Sequence, residues 1–272
     1  MTISNRLLFI CLLCLPSMAG MAQKDSIASQ WEVTNVRMLG LGGSEVLDTY
    51  LSPEKYKGSE IRYISHTLRQ REDSKWLNYF IHEGNMSTNE DRSGDGTTLG
   101  FLYDFRYARH RSWLTAGNRL LLEAGGMLNA GLGLLDNTRN SNNPAQVRCF
   151  LHVGASGAAT YRFHLGSKAC ALRYEAMVPL IGLMFSPNYG QSYYEIFSRG
   201  DYDHNIVPTT PFSAPTLRHS LTADFPLLGL RWRVGYLGDF QQAEVNNLKQ
   251  HVYTHALVIG IVRHFNITHI KP

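Results

Sequence analysis

The sequence predicts an all-β fold, a single antiparallel up-and-down β-barrel that spans a membrane with about ten strands. Three features predict it: an export signal, long stretches in which apolar and polar residues alternate, and connections that are alternately short and long. Twelve strands are the alternative, if 129–136 or 190–198 forms additional pairing. No linker rich in Pro, Gly or Ser divides the 272 residues, so we expect one barrel domain, 23–272.

Residues 1–22 have the pattern of a cleaved secretory signal peptide. A positive charge at Arg6 precedes an apolar stretch over 7–15, and the small residues Gly20 and Ala22 precede a polar segment. The apolar stretch is shorter than the ~20 residues that a membrane-spanning helix needs. We therefore expect export and cleavage after Ala22, without a lipid anchor.

Alternation with a period of two residues recurs along the rest of the chain. Within 98–107, 172–180 and 230–237, aliphatic and aromatic residues alternate with charged or small ones. The strands predicted from this pattern are 34–46, 57–69, 74–87, 97–108, 117–134, 146–164, 168–185, 214–228, 229–240 and 250–265. Most exceed the ~9–11 residues that cross a bilayer at a tilt, which favours a membrane barrel over a secreted or periplasmic β-sandwich.

The predicted connections differ in length on the two sides of the barrel. After the even-numbered strands they lie at 70–73, 109–116, 165–167 and 228–229. After the odd-numbered strands they are longer and more polar, at 47–56, 88–96, 135–145, 186–213 and 241–249. Bacterial barrels have short periplasmic turns and long external loops. We therefore expect the outer membrane as the location, with outer-membrane lipid and the barrel assembly machinery as partners.

The inward face of the predicted strands carries many charges. They are Arg37, Arg62, Asp104, Arg106, Arg119, Glu123, Arg148, Arg162, Arg173, Glu175, Asp224, Arg231, Arg233 and Asp239. A barrel of about ten strands has a narrow lumen that side chains can fill. Because an unpaired charge away from water is costly, we interpret these residues as an ion-pair network in a largely filled lumen rather than as a selective pore.

Three polar segments, 47–53, 139–144 and 186–195, fall on the external side of the predicted barrel. Their Asn, Ser and Pro residues suit tight turns, while Tyr and Asn at a barrel mouth supply stacking faces and neutral hydrogen bonds for a glycan or lipid head group. The candidate ligand-binding residues are Tyr50, Asn142, Asn143, Tyr189, Tyr193, Tyr194 and Glu195. We expect them to converge at the mouth, with Arg139 or Arg199 pairing with Glu195. The predicted function is non-enzymatic binding or a structural role.

The alternative function is a phospholipase-like hydrolase that modifies lipid or the envelope at the outer rim. His219 with Ser220, and His152 with Ser156, supply residue types for such a site. The sequence pattern that surrounds the active site of outer-membrane phospholipases is absent, so no catalytic residue is assigned.

No cofactor, metal site or nucleic-acid partner is predicted. His251 and His255 share a strand face but lie ~13 Å apart along a strand, too far to share one ion. The net charge of +4 is too small to indicate nucleic-acid binding. Cys149 and Cys170 fall at opposite ends of neighbouring strands, so we expect no disulfide between them.

Three stretches also resemble known proteins: Leu-Asp-Thr-Tyr-Leu-Ser-Pro at 47–53, Arg-Asn-Ser-Asn-Asn-Pro at 139–144, and Ser-Pro-Asn-Tyr-Gly-Gln-Ser-Tyr-Tyr-Glu-Ile-Phe at 186–197. They are similar to an uncharacterised family of exported proteins of anaerobic Gram-negative bacteria that resemble outer-membrane barrels. The resemblance spans most of the chain after residue 22. It implies a location and a fold but no reaction.

Overall fold

A computed structural model describes residues 29–141 and 143–269. The elements in chain order are β1 (Ser29–Asp48), β2 (Ser52–Arg71), β3 (Trp76–Glu90), β4 (Thr97–Thr115), β5 (Leu120–Asn137), β6 (Ala145–Leu165), β7 (Lys168–Phe185), α1 (Tyr193–Phe197), β8 (Ile206–Thr209), β9 (Thr216–Leu227), β10 (Leu230–Val245) and β11 (Leu248–His269). The predicted signal peptide, 1–22, lies outside the described residues. No described helix is long and apolar enough to cross a membrane.

Ten long antiparallel strands close into a barrel. Apart from the short β8, strands that follow one another in sequence are neighbours in the sheet, and closure comes from β11 pairing with β1 from Ser29↔His269 to Asp48↔Gln250. The short β8 pairs only with the end of β7. The prediction of about ten strands is therefore confirmed. The additional pairing considered for twelve strands is absent, because 129–136 lies within β5 and 190–198 contains α1.

The two ends of the barrel carry different connections. The turn end has the four short connections 72–75, 116–119, 166–167 and 228–229. The loop end has the connections 49–51, 91–96, 138–144, 186–215 and 246–247. The predicted loops 47–56 and 241–249 are thus mostly strand, and the difference between the ends comes mainly from 186–215. Asn246 and Asn247 both have positive φ, 51° and 59°, which suits a two-residue hairpin turn.

The outer face of the barrel is apolar and the inner face is rich in polar groups. Leu257 is 72% exposed, and Leu41, Leu132 and Ile181 are also largely exposed. Buried residues include many charged side chains, among them Arg62 at 1% exposure. A water-soluble barrel has the opposite arrangement, whereas a membrane barrel presents an apolar band to lipid around a polar interior. The fold is therefore a transmembrane β-barrel.

Strand β7 changes its neighbour part-way along its length. It pairs with β9 over 171–177 and with β8 over 182–185. Between the two stretches, the pairing with β6 is irregular where Val153 and Gly154 face Ile181 and Pro179. Proline has no N–H to donate to a neighbouring strand. This change of neighbour places the long 186–215 connection at the loop end, beside β10.

Candidate functional site

A network of buried ion pairs crosses the barrel interior. Glu83 on β3 accepts hydrogen bonds from Arg106 at 3.1 Å and from Arg218 at 2.9 Å, and it also pairs with Arg62. Asp239 on β10 accepts from Arg62 at 3.0 Å. Strands β3 and β9 lie on opposite sides of the ten-strand ring, so the Glu83–Arg218 contact joins opposite walls. The carboxylates and guanidinium groups therefore satisfy one another within the lumen.

A second cluster lies nearer the turn end and centres on Arg173. Its guanidinium group contacts Glu123 at 2.6 Å, Glu175 at 2.8 Å and the Tyr79 hydroxyl at 2.8 Å. It also donates to Thr160 at 2.7 Å. Buried apolar side chains occupy the space around the two clusters: Val36, Met38, Ile64, Met177, Leu237 and Val258.

Two of the charges predicted to face inward do not. Arg37 lies exposed on the outer face of β1. The sequence did not indicate this direction, because both faces of the strand carry apolar residues and the alternation does not distinguish them. Arg119 lies in the exposed turn before β5. In that turn Gly117 and Asn118 have positive φ, so the chain is not extended there.

The long connection at the loop end is a folded structure. Asn205 donates to the side chain of Gln191 at 2.7 Å, and Asn246 donates to the Ser186 carbonyl at 3.1 Å. Helix α1 begins with a capping box in which Ser192 and Glu195 satisfy each other's backbone N–H groups. These hydrogen bonds tie 186–215 to itself and to the β10–β11 hairpin.

The three polar segments singled out in the sequence meet at the loop end. The rings of Tyr50 and Tyr193 are 5.8 Å apart and perpendicular. The Tyr193 hydroxyl donates to Gln146 at 2.9 Å and accepts from the Val147 N–H at 2.7 Å. The Asn140 side chain donates to the Leu51 carbonyl at 2.9 Å. Segments 47–53, 139–144 and 186–195 are therefore in contact.

Several predicted site residues hold the three polar segments together. Burial raises the pKa of the Tyr50 hydroxyl to about 12, and the nearby Asp48 and Glu195 carboxylates add to the effect. The Tyr193 pKa is also raised, chiefly by burial, so both hydroxyls are neutral at physiological pH. The Asn143 N–H donates to the Asn140 side chain at 3.0 Å within its turn. Asn142 lies outside the described residues.

The predicted pairing of Glu195 with an arginine is wrong. Glu195 accepts from the N–H and the hydroxyl of Ser192, at 2.7 and 2.9 Å, and these bonds lower its pKa. Arg139 pairs instead with Asp91 at 2.7 Å. The capping box takes the carboxylate because Ser192 precedes it by three residues, the spacing that this motif requires.

Exposed aromatic side chains stand on the same connection. Tyr189 is 74% exposed and Tyr194 is 65% exposed, and both were expected at the mouth. Phe197 and Tyr202, at 63% and 64%, were not singled out from the sequence. The sequence indicated these two residues only through their position in the same long polar connection, 186–215.

The residues considered for a hydrolase do not form a catalytic pair. His219 packs against the outward rings of Tyr174 and Tyr236, while Ser220 faces Glu175 inside the barrel. Adjacent residues on a strand point to opposite faces. Ser156 lies 2.5 Å from the His110 ring, not beside His152. The His110 Nδ1 atom has no hydrogen-bond partner in the described part of the chain, so this pair lacks the third group that orients the base in a catalytic triad.

Within the described part of the chain, the residues that could bind a metal or form a disulfide do not come together. Residues 29–141 and 143–269 contain no group of three or more His, Cys, Asp or Glu side chains placed to hold a metal ion. Cys149 is exposed, Cys170 is buried, and both are free thiols.

A model of a protein family of unknown function, DUF3316, matches residues 6–272. The chain belongs to this family. The expected resemblance to an uncharacterised family of barrel proteins is thereby confirmed. No curated protein is a significant match to this DUF3316 protein.

The DUF3316 chain is also similar to solved structures. The translocator domain of the autotransporter NalP from Neisseria meningitidis is 11% identical, with 96% of this chain and 95% of that chain covered and a TM-score of 0.40. The transport unit of the autotransporter AIDA-I from Escherichia coli is 9% identical, with 94% and 98% covered and a TM-score of 0.41. The outer membrane protease OmpT from Escherichia coli is 8% identical, with 90% and 99% covered and a TM-score of 0.38. These similarities carry no information on activity.

Proposed function

We propose that this DUF3316 protein is a non-conducting outer-membrane barrel whose loop end binds a glycan or lipid head group. The observation that carries the proposal is the folded 186–215 connection, which holds exposed aromatic rings above a barrel crossed by ion pairs. The export signal and the apolar outer face support the outer membrane as the location.

The ion-pair network supports a role other than transport through the lumen. Arg218 on β9 crosses the interior to Glu83 on the opposite wall, where Arg62 on the neighbouring strand β2 also contacts Glu83. A pore needs a continuous water-filled path, and side chains locked in charged hydrogen bonds across the lumen obstruct it. Purified protein in planar bilayers should therefore give no steady conductance, and a stable conductance would contradict this part of the proposal.

The exposed aromatic rings support recognition at the loop end. Large side chains with few rotatable bonds supply contact area at a low entropic cost, and a folded loop reduces that cost further. We assign the ligand contacts to Tyr189, Tyr194 and Asn143. We assign Tyr50, Tyr193 and Glu195 to the scaffold that holds them, because their polar groups are engaged or buried.

Binding assays on matched variants test the assignment. Full-length protein folded in detergent would be applied to a glycan array and to vesicles that contain lipopolysaccharide. Tyr189→Ala combined with Tyr194→Ala should weaken binding by about tenfold or more, the usual loss when an aromatic anchor is removed. Tyr161→Ala, an exposed tyrosine near the turn end, is the control. Equal binding by wild type and the double variant would refute recognition by these rings.

A further inference from the structure

A cavity of about 430 Å³ lies inside the barrel near the turn end, away from the loop-end surface. Its size falls within the ~300–1,000 Å³ typical of ligand sites. We call it the turn-end cavity and define it by Val36, Leu68, Tyr79, Leu121, Arg162 and Arg231. Arg162 is exposed to solvent, whereas Tyr79 is 1% exposed. The cavity therefore opens toward the turn end and is closed on its inner side.

The charges that line the turn-end cavity do not cancel. Arg233 forms two hydrogen bonds with Asp224, at 2.6 and 2.8 Å. Arg173 contacts the two carboxylates of its own cluster, which more than balance its charge. Arg162 and Arg231 have no carboxylate within ion-pair distance in the part of the chain that the structure describes. Two positive charges without an ion-pair partner therefore face one cavity.

The sheet register brings these two arginines to the same stretch of wall. Arg162 on β6 lies opposite Ala171 on β7. The Arg231 guanidinium group reaches from β10 to the Ala169 carbonyl on β7, with a distance of 3.3 Å. Ala169 and Ala171 are two residues apart, about 6.6 Å along a strand. Their small side chains leave the space in front of β7 open for a ligand between the two guanidinium groups.

The rest of the lining adds apolar surface and one unsatisfied polar atom. Val36, Leu68 and Leu121 face the cavity. His66 also lines it, is 5% exposed, and its Nε2 atom has no hydrogen-bond partner among the described residues. A buried polar atom without a partner is uncommon in a folded protein, and a ligand in this cavity would supply one.

We propose that the turn-end cavity binds an amphiphilic oxyanion. Arg162 and Arg231 hold its phosphate or carboxylate group, and a short apolar tail packs against Leu68 and Leu121. Guanidinium groups suit this ligand because their paired N–H groups match the oxygen spacing of carboxylates and phosphates. The site is distinct from the loop-end aromatic surface and faces the opposite side of the membrane.

Calorimetry with soluble probes tests the charge and the tail separately. The probes are hexyl phosphate, hexanoate, inorganic phosphate and hexanol, added to the full-length protein folded in detergent. Hexyl phosphate or hexanoate should bind, while phosphate without a tail and hexanol without a charge should bind about tenfold more weakly or worse. The preferred head group distinguishes a phosphate ligand from a carboxylate ligand. Binding of neither anion, or equal binding of hexanol, would overturn the proposal.

Matched variants test whether Arg162 and Arg231 bind the anion. Arg162→Gln combined with Arg231→Gln should weaken binding of the preferred anion by about tenfold or more. Arg92→Gln combined with Arg199→Gln removes the same charge at the loop end and should leave binding within about twofold, because neither residue touches the cavity. Unchanged binding in the first variant would overturn the proposal.

Calorimetry on the wild-type protein covers the case in which the arginine variant does not fold, because it needs no substitution. Failure of both hexyl phosphate and hexanoate to bind the wild type would overturn the proposal without any variant.

Discussion

Replacing Glu83 with glutamine removes the charge at the centre of the lumenal network. Glu83 is 2% exposed and contacts Arg62, Arg106 and Arg218. Glutamine keeps the size of the side chain and one acceptor oxygen, but it leaves three buried guanidinium groups with one carboxylate fewer. Removing one partner from a buried ion pair costs about 3–5 kcal/mol, and we expect the free energy of unfolding to fall by that amount.

Urea unfolding of the protein in detergent micelles, followed by tryptophan fluorescence, measures this change. The control is Glu72→Gln, which alters the net charge equally in the exposed turn at 72–75. A surface substitution of this kind should change the stability by less than about 0.5 kcal/mol. If Glu83→Gln is as stable as the control variant, the ion-pair network does not stabilise the barrel.

The outer face and the loop end give two further predictions. Leu257→Arg, near the middle of β11, should destabilise the barrel by about 2–4 kcal/mol in lipid. Leu165→Arg, near the turn end, should cost only about 0–1 kcal/mol, because this position lies close to the membrane surface. Equal effects of the two substitutions in vesicle-folding assays would contradict the position of Leu257 at the middle of the membrane. Burial opposes ionisation of Asp91, but hydrogen bonds from Ser93, Arg139 and backbone N–H groups lower its pKa from 3.8 to about 2. The 91–96 loop should therefore keep its full stabilisation above about pH 4 and lose it as the pH falls through 2, whereas Asp91→Asn should show no such loss in amide exchange of Gly94.

The number and order of the strands could be predicted because lipid imposes apolar residues on one face of each strand. The ends could not. Strand β4 was predicted over 97–108 and extends over Thr97–Thr115, and β10 was predicted over 229–240 and extends over Leu230–Val245. Beyond the lipid the outward residues are no longer apolar, so the alternation stops while the backbone pairing continues.

Which face of a strand points into the barrel could be predicted only where the two faces differ in polarity. In β1, Val36 and Met38 pack inside the barrel while Leu39 and Leu41 are exposed outside, so nothing in the local pattern directs Arg37 outward. The facing direction of that strand follows from its packing against distant residues.

The sequence predicted which end of the barrel carries the three polar segments, but not which of their residues stabilise the loops. Topology alone placed 47–53, 139–144 and 186–195 at one end, because each follows an outward-going strand. The spacing of Ser192 and Glu195 was a readable capping-box signal, and it identifies Glu195 as part of the scaffold. The turn-end cavity had no such signal, since the pairing of each arginine depends on contacts between strands far apart in sequence.

Electrophoretic mobility shows whether the chain forms a closed barrel integrated in the outer membrane. Membranes from cells that express the full-length chain would be washed with sodium carbonate, solubilised, and run with and without boiling. A closed antiparallel barrel should stay in the outer-membrane fraction and change its mobility on boiling, because its interstrand hydrogen bonds resist the detergent until heated. A chain that carbonate releases, with the same mobility before and after boiling, would not be a barrel integrated in the membrane.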